Sequence, residues 1–345
     1  MKHKLGALVL DGPRLIRCLA TCNGWCRMRN RYDQFGKAPV GIGMRCEWIY
    51  SRTLHICDMF PVTGRWLLQR ALRQWPVGLD KRAAPIRDGK PCVSFIIGHR
   101  GLDRLPHLLM TLRSIHQQRN LAVECIVVEQ DSTPSIQNRL PDWVRYLHAP
   151  LHGSEMRYGR AAAFNAGARL AHGEMLVLHD SDILLPLSFA DEVWRVHQMG
   201  YEAIRLGRFF FYLAQMSTDR LLDGSIEIGD ASVDSVIENA VGGCTAISRS
   251  VFIELGGMDE DFVGWGGEDN EFWDRCLTRK VWEYGYLPLV HLWHPSLANR
   301  QRSNPTLSLL AQKRKTSALD RVAALRVLRE KKATPGHQEG SPLCC

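Results

Sequence analysis

The chain has 345 residues, 45% of them hydrophobic, and no apolar run approaches the roughly 20 residues that a membrane-spanning helix needs. Its formal net charge of +8 is uneven: residues 1–90 carry 17 Lys+Arg against 6 Asp+Glu, residues 91–299 carry 17 against 27, and residues 300–345 carry 10 against 3. An acidic core with basic flanks argues against a nucleic-acid binder, which would usually carry its basic stripe on the folded domain, and suits a site for a divalent cation.

The sequence predicts neither a signal peptide nor a disulfide-bonded protein. The apolar stretch at 5–10 is too short for a signal peptide and ends at Asp11. The eleven cysteines are scattered, odd in number and without a CxxC pair, so neither a disulfide framework nor a zinc knuckle is indicated. We predict a cytoplasmic protein whose basic flanks are solvated or contact the inner face of a membrane.

Residues 1–90 form a predicted basic extension with one clear element. WLLQRALRQW at 66–75 has apolar side chains on one helical face and basic ones on the other, which predicts an amphipathic helix. Such a helix packs on its own domain more often than it lies on a membrane surface. PIRDGKP at 85–91 is typical of a linker.

The core, residues 91–299, opens with a predicted strand–helix–strand unit. CVSFIIGHR at 92–100 and VECIVVEQD at 123–131 are apolar strands, and LPHLLMTLRSIHQQ at 105–118 has helical spacing between them. This order predicts a parallel sheet, whose ligands bind at the carboxyl ends of the strands. There is no GxGxxG and no P-loop, so a dinucleotide or Walker-type site is not indicated.

A possible metal site begins at the next strand. GRAAAFNAGARLAHG at 159–173 predicts a helix, and EMLVLHDSDILL at 174–185 predicts a strand that runs into the DSD sequence of Asp180 and Asp182. Carboxylates at the end of a buried strand are costly unless they are paired or bind a metal. Farther along, His291 and His294 in HLWH offer imidazole ligands that suit Mn²⁺, although two core histidines are the plainer interpretation.

The most distinctive stretch is GGMDEDFVGWGGEDNEFWD at 256–274. Its glycines predict a pliant loop that carries Trp265, and the helical spacing of EFWDRCL places Glu268 and Asp269 at the first turn of a helix. An ionised carboxylate beside an aromatic ring suits a sugar hydroxyl, because the ring stacks on the sugar while the carboxylate takes the proton. An acidic N-terminal turn on an ordinary core helix is the alternative.

The rest of the core and the tail are less distinctive. Between 186 and 240 the pattern predicts a helix, a strand pair at 203–213 and a polar stretch, and 242–257 predicts a glycine turn, a strand and a helix. Residues 300–345 form a predicted basic tail, with a helix at 317–332 and a disordered end.

Together these motifs resemble the GT-A glycosyltransferases. Residues 93–200 look like the family 2 nucleotide-sugar domain, and residues 242–295 look like the carboxyl-terminal part of the β1,4-galactosyltransferase, chondroitin-polymerase and polypeptide GalNAc-transferase group. The resemblance implies an α/β, Rossmann-like fold with a mixed, mainly parallel sheet flanked by helices, here with an N-terminal helical extension and a C-terminal helical tail. It also implies an enzyme that moves a Gal, GalNAc, GlcNAc or Glc-type sugar from a UDP-sugar to a glycan or other hydroxyl acceptor, as in polysaccharide biosynthesis.

The resemblance further implies a role for each matching residue. Asp180, Asp182, His291 and His294 would hold Mn²⁺ or Mg²⁺ on the UDP diphosphate. Asp269, the second acid of GGED, would be the base of an inverting transfer, although retaining relatives share GWGGE. The acceptor would contact Trp265, Gly266, Glu268 and Asn270, and the nucleotide sugar would contact His99, Arg100, Glu129, Asp131, Arg160, Asn165, Asp180 and Gly243.

Two other functions fit part of the sequence. A sugar-phosphate nucleotidyltransferase also uses carboxylates, a metal and a parallel sheet, but the missing glycine-rich nucleotide loop disfavours it. A non-catalytic carbohydrate-binding protein could use Trp265 without needing DSD or HLWH.

Overall fold

The structure is a computed structural model, and it describes residues 5–6, 8–9, 11–13, 16, 35–37, 44–46, 52–53, 55–80, 89–118, 120–151, 158–264, 266–283, 285–295 and 305–333. The described strands are β1 Phe35–Lys37, β2 Met44–Cys46, β3 Arg52–Thr53, β4 Val93–His99, β5 Val123–Glu129, β6 Val144–His148, β7 Met175–His179, β8 Ile183–Leu184, β9 Ala203–Ile204, β10 Gly207–Leu213, β11 Val233–Glu238, β12 Cys244–Ser248, β13 Val281–Trp282 and β14 Leu287–His291. The described α-helices are α1 His55–Met59, α2 Pro61–Gln74, α3 Leu105–His116, α4 Arg160–Leu170, α5 Phe189–Gln198, α6 Gln215–Asp223, α7 Arg249–Glu254, α8 Glu268–Cys276, α9 Pro305–Lys313 and α10 Ala318–Ala333.

The first sheet has the order β1-β2-β13-β9-β12-β7-β4-β5-β6. Strands β7, β4, β5 and β6 run parallel to one another, whereas β12 is antiparallel to both β7 and β9. All seven residues of β4 are buried, as expected for the apolar run of a central parallel strand. The predicted α/β class, with a mainly parallel sheet flanked by helices, is therefore confirmed.

Both faces of this sheet are covered, because alternate residues of β4 point to opposite sides. Phe95 and Ile97 belong to one hydrophobic cluster, with residues of α3 and α5, whereas Ile96 belongs to a second cluster with residues of α4, α7 and α8. Helix α4 approaches very closely at Gly167, where an added Cβ would lie 2.3 Å from Ile96 Cγ2. The small side chains of α4 thus allow this helix to pack closely on the sheet.

A second sheet, with the order β3-β11-β10-β14-β8, was not predicted. It is mixed, since β10 is parallel to β14 but antiparallel to β11. Strand β11 and helix α6 both lie in the part of the chain predicted only as a polar stretch. The side chains of Phe209, Phe211 and Val290 in this sheet are buried in one hydrophobic cluster with residues of α2.

The two flanks differ from their predictions in part. The predicted helical extension contains α1 and α2, and it also contains short strands that were not predicted: β2 and β3 pair with β13 and β11, so the amino-terminal segment extends both sheets. Helix α2 contains the predicted 66–75 helix and packs on the protein's own second sheet through Leu67, Leu68 and Ala71. At the other end α10 matches the helix predicted at 317–332, whereas α9 was not predicted.

Two predictions concern residues that the structure does not describe. Most of the linker predicted at 85–91 and the tail end predicted as disordered, beyond residue 333, lie outside the described residues. Within the described part of the chain, no helix is both long and apolar enough to cross a membrane.

Candidate active site

The site forms where two chain segments cross between the sheets. Strand β7 of the first sheet is followed by the turn 180–182 and then by β8 of the second sheet. The chain returns from β11 of the second sheet to β12 of the first through Gly242 and Gly243. The backbone N–H of Asp180 donates to the Gly243 carbonyl at 2.9 Å, so the two crossings are joined. Both aspartates of DSD therefore lie at the carboxyl end of a parallel strand, where ligands of such sheets bind.

One cluster consists of Asp182, His291 and His294, whose ligand atoms all lie within 4.8 Å of one another. His291 Nε2 lies 3.6 Å from Asp182 Oδ1, and His294 Nε2 lies 3.4 Å from Asp182 Oδ2. The backbone fixes this arrangement, because β14 pairs with β8 and the Leu292 N–H donates to the Asp182 carbonyl at 2.9 Å. The His291 ring is stacked on Tyr212 with 4.3 Å between ring centroids. A carboxylate and two imidazoles at this spacing form a donor set for a divalent cation.

The hydrogen bonds of the cluster fit a cation better than a proton. His294 Nδ1 lies 2.9 Å from the Pro295 carbonyl, which favours the tautomer that donates there and leaves a lone pair on Nε2. That lone pair faces a carboxylate oxygen, and burial lowers the pKa of His294, which disfavours a proton between them. Among the described residues, neither Asp182 Oδ1 nor His291 Nδ1 has a hydrogen-bond partner. Lone pairs that face one another in a buried site are the arrangement that a metal ion satisfies.

Two further residues that the sequence did not single out complete the surroundings of Asp182. Arg104, in the 3₁₀ turn Leu102–Arg104 after β4, forms an ion pair with Asp182, and His107 Nε2 lies 2.8 Å from the Trp293 carbonyl. Burial opposes ionisation of Asp182, but the facing imidazoles when they are protonated, and the Arg104 guanidinium whether or not they are, hold its pKa below the ordinary value. Asp182 is therefore ionised at neutral pH and available as a ligand.

A second cluster gathers three carboxylates around the guanidinium of Arg160. Arg160, the first residue of α4, pairs with Asp180 at 2.7 Å, with Glu268 at 3.4 Å and with Asp269. Its side chain also lies over the Phe164 ring, 4.7 Å from the centroid. Burial opposes the charge of Arg160, but the three carboxylates raise its pKa well above the ordinary value. The first aspartate of DSD and the two acids of GGED are thus held together by one fixed cation.

Asp269 has a defined orientation within this cluster. Arg160 holds its Oδ1, and its Oδ2 lies beside Gly242, where an added Cβ would be only 2.3 Å away. Gly243 has a φ of +90°, a backbone conformation that residues with a side chain rarely adopt. An added Cβ at Gly243 would also lie 2.6 Å from Ile183. The two glycines therefore allow the backbone to approach Asp180 and Asp269 closely.

Glu268 differs from its neighbours because it is buried among like charges. Burial, followed by the neighbouring Asp269 carboxylate, raises the pKa of Glu268 to about 7. Among the described residues, its Oε2 atom has no hydrogen-bond partner. Glu268 therefore exchanges a proton near neutral pH, beside a carboxylate that is paired with arginine.

We expect Glu268→Gln to be more stable than the parent protein at pH 8 and about equally stable at pH 4. The pKa of Glu268 is raised from 4.5 to about 7 on folding, so its favourable contribution is complete below pH 4.5 and is lost as the pH rises through about 7. The corresponding difference in the free energy of unfolding is on the order of 3 kcal/mol. Urea unfolding of both proteins from pH 4 to 8 measures it, with the exposed Glu227→Gln as control. A constant difference across this range would contradict the raised pKa.

Two residues predicted to contact the nucleotide sugar are buried and hydrogen-bonded within the protein. The Asn165 amide is fully buried, and it donates to Met258 O and Glu260 and accepts from the Met258 N–H. Glu129 is also buried, and Ser135, Ile136 and Tyr146 donate to its carboxylate. These hydrogen bonds hold loops in place, and contacts of Asn165 and Glu129 with a nucleotide sugar remain a prediction.

The remaining predicted residues end or follow strands β4 and β5 or lie near the start of α8, and one of them is outside the described residues. His99 ends β4 and is buried, with Nε2 2.8 Å from Gly101 O, and burial lowers its pKa. Arg100 and Asp131 follow β4 and β5 and are half-buried. Gly266 has a φ of +98° before α8, and Asn270 is half-buried in the first turn of that helix. Trp265 lies outside the described residues.

Comparison with known families identifies the class of the protein. Residues 224–286 match the family model described as the N-terminal domain of galactosyltransferase. The match confirms the predicted resemblance to GT-A glycosyltransferases, and glycosyltransferase is the class of this enzyme. The matched segment includes Gly242, Glu268 and Asp269. No curated protein matches the chain.

Several solved structures resemble the chain. The catalytic domain of Drosophila β1,4-galactosyltransferase 7 in complex with xylobiose is 17% identical, with a TM-score of 0.40 over 66% of this chain and 82% of that one. A mannosyltransferase from Pyrobaculum calidifontis in complex with GDP-Man and Mn²⁺ is 17% identical, with a TM-score of 0.41 over 79% and 83%. GalNAc-T7 with UDP, GalNAc and Mn²⁺ is 16% identical, with a TM-score of 0.45 over 70% and 55%. The glycosyltransferase class rests on the family match.

Proposed function

We propose that this protein transfers a hexose-type sugar from a UDP-sugar to a hydroxyl group of a glycan or related acceptor, with inversion at the anomeric carbon. The observation that carries the proposal is the adjacency of two clusters: Asp182 with two imidazoles, and, two residues earlier on the same turn, Asp180 with Arg160 and Asp269. The first suits a cation that binds a diphosphate, and the second suits a base beside it. The match to the galactosyltransferase model supports the same class of reaction.

The donor side of the site would be built on Asp182, His291 and His294. A bound Mn²⁺ or Mg²⁺ would offset the charge that develops on a leaving diphosphate. Three protein ligands leave coordination positions for phosphate oxygens, as expected for such ions. His99, Arg100 and Asp131 lie at the same strand ends and are the candidates for contacts with the nucleoside and its phosphates.

The acceptor side would be built on the first turn of α8. Asp269 would take the proton of the acceptor hydroxyl through Oδ2, while Arg160 holds its other oxygen and keeps the carboxylate in one orientation. Arg160 also keeps Asp180 and Asp269 close despite their like charge. Glu268, Asn270 and Trp265 stand next in the sequence and are the candidates for contacts with the acceptor sugar.

A product assay tests this function against its rivals. Purified protein is incubated with Mn²⁺, UDP-Gal, UDP-GalNAc, UDP-GlcNAc or UDP-Glc, and a set of glycan acceptors, and UDP and the glycan product are measured. We expect acceptor-dependent UDP release that chelation with EDTA abolishes. Pyrophosphate formed from a sugar phosphate and UTP would instead indicate a nucleotidyltransferase. Glycan binding without turnover of any donor would indicate a carbohydrate-binding protein, and the anomeric configuration of the product distinguishes inversion from retention.

The basic flanks suit contact with an anionic membrane, and we propose a cytoplasmic enzyme that can bind the inner membrane face. The supporting observation is the excess of Lys and Arg in residues 1–90 and 300–345. Co-sedimentation with vesicles that contain anionic lipid, compared with neutral vesicles, tests this contact.

A further inference from the structure

The loop that precedes α8 begins with one glycine pair, Gly256–Gly257, and ends with another, Gly266–Gly267. We call residues 256–267 the double-glycine loop. All four glycines have positive φ, between +63° and +98°, so the backbone at both ends of the loop depends on the absence of a side chain. The loop leads directly into Glu268, so its conformation sets the start of α8 and the position of Asp269.

The C-terminal helices contact this loop at both of its glycine pairs. Helix α10 lies on the first pair, since an added Cβ at Gly256 would be 2.7 Å from Leu325 Cβ. Helix α9 lies on the second pair, since an added Cβ at Gly267 would be 3.0 Å from the Thr306 carbonyl oxygen. These approaches leave no room for side chains at the two positions, so the loop and the helices fit together closely.

Charge complementarity reinforces the fit between the loop and the helices. Lys313 of α9 pairs with Asp259 at 2.7 Å and with Asp261 at 2.6 Å, so one ammonium group bridges two acids of the loop. Burial opposes the charge of Lys313, but the hydrogen bonds that its ammonium group donates to both carboxylates raise its pKa. The basic tail therefore holds a loop whose three consecutive acids would otherwise repel one another.

The same helices also hold α8 itself. Arg314 donates two hydrogen bonds to the Asp274 carboxylate, at 2.8 and 3.0 Å. Arg321 of α10 pairs with the buried Glu271 at 2.9 Å. Contacts from the tail thus reach α8 two and five residues after Asp269.

We propose that α9 and α10 form a brace that positions the double-glycine loop and α8, and through them Asp269, for the transfer reaction. Lys313, Arg314 and Arg321 are positioning residues in this scheme, because they act on Asp269 through the loop and the helix. The proposal rests on the proposed function for the role of Asp269. It gives the basic tail a task within the site, one that needs no membrane and no nucleic acid.

The brace can be tested with a charge exchange at Lys313 and Asp261. Lys313→Asp and Asp261→Lys each place like charges together, whereas the double variant again sets one ammonium group among two carboxylates. Asp261 is two-thirds exposed, with a side-chain accessibility of 66%, and such surface ion pairs contribute little to global stability. Lys315→Asp is the matched control, because Lys315 follows α9 closely and forms no ion pair among the described residues.

Hydrogen–deuterium exchange and kinetics provide separate measurements. In each single variant we expect amide exchange in residues 256–267 to rise about tenfold and kcat to fall at least about tenfold, with Mn²⁺-dependent UDP affinity within about twofold of the parent. The double variant should recover both exchange and kcat to within about threefold, and the control should change neither. A role confined to global stability predicts instead parallel losses in melting temperature and UDP affinity.

The outcomes separate the brace from the proposed function. Unchanged exchange in the single variants, or a double variant that recovers nothing, overturns the brace. If the parent protein transfers no sugar, the proposed function fails, while the exchange measurement still decides whether the helices hold the loop.

Discussion

Asp269→Asn is expected to lower the rate of sugar transfer by about 10²–10⁴-fold, the usual contribution of a positioned general base. The carboxamide keeps the size of the side chain and can still accept a hydrogen bond from Arg160, but it cannot take the proton of an acceptor hydroxyl. Steady-state kinetics with saturating donor and acceptor measure the loss. Because Asp269 is not part of the metal cluster, Mn²⁺-dependent binding of UDP should stay within about twofold of the parent.

The result has a clear control and a clear contradiction. Asp234→Asn changes an exposed carboxylate in strand β11 of the second sheet and should leave the rate unchanged. Turnover of Asp269→Asn comparable with that of the parent would remove the assignment of Asp269 as the base. A loss of UDP binding as large as the loss of rate would mean that the substitution had damaged the whole site.

Asp182→Asn should abolish most of the Mn²⁺-dependent binding of UDP, with a loss of about 100-fold or more in metal affinity. The substitution removes the negative charge that faces both imidazoles and Arg104. At position 182 it leaves only a neutral amide oxygen as a ligand, beside the two imidazoles. Titration of the protein with Mn²⁺, followed by electron paramagnetic resonance with and without UDP, measures the affinity. Unchanged affinity would show that the cation binds elsewhere.

A second variant tests whether the cluster acts as a unit. His294→Ala alone should weaken Mn²⁺ binding, and the double variant Asp182→Asn with His294→Ala should lose little more than Asp182→Asn alone. Additive losses would instead indicate two independent weak sites. Asp234→Asn again serves as the control for a change of one carboxylate.

The sequence predicted the site well where strand ends determine position. Asp182 was expected at the carboxyl end of a strand, and the resemblance placed the distant His294 with it on one cation; the two side chains lie 3.4 Å apart. The reason is topological, since β8 begins directly after Asp182 and pairs antiparallel with β14, whose last residue is His291. Their ligation of a metal remains a prediction.

Side-chain partners were harder to predict than positions. Asn165 and Glu129 have the residue types and the location of ligand contacts, but neighbouring loops use their hydrogen-bonding groups. Arg104 lay in a predicted loop-to-helix boundary with no pattern to distinguish it, yet it pairs with Asp182. A periodic pattern indicates which face of an element is buried, but it carries no information about which distant group a polar side chain will meet.

The second sheet was missed for a related reason. VDSVIE in β11 has the alternation of a half-buried strand, but it is short and lies in polar surroundings. The amino-terminal strands are shorter still, with two or three residues each, and their pairing with β13 and β11 is decided by tertiary contacts.

The position of DSD between the two sheets has a mechanical consequence. Asp182 lies on the turn between β7 of the first sheet and β8 of the second, and its carbonyl accepts a hydrogen bond from the Leu292 N–H directly after β14. A cation held by Asp182, His291 and His294 would add a second link between this turn and the end of β14. Affinity for the ion would then depend on how firmly the turn is held against β14, even when the disturbance arises far from the ligands.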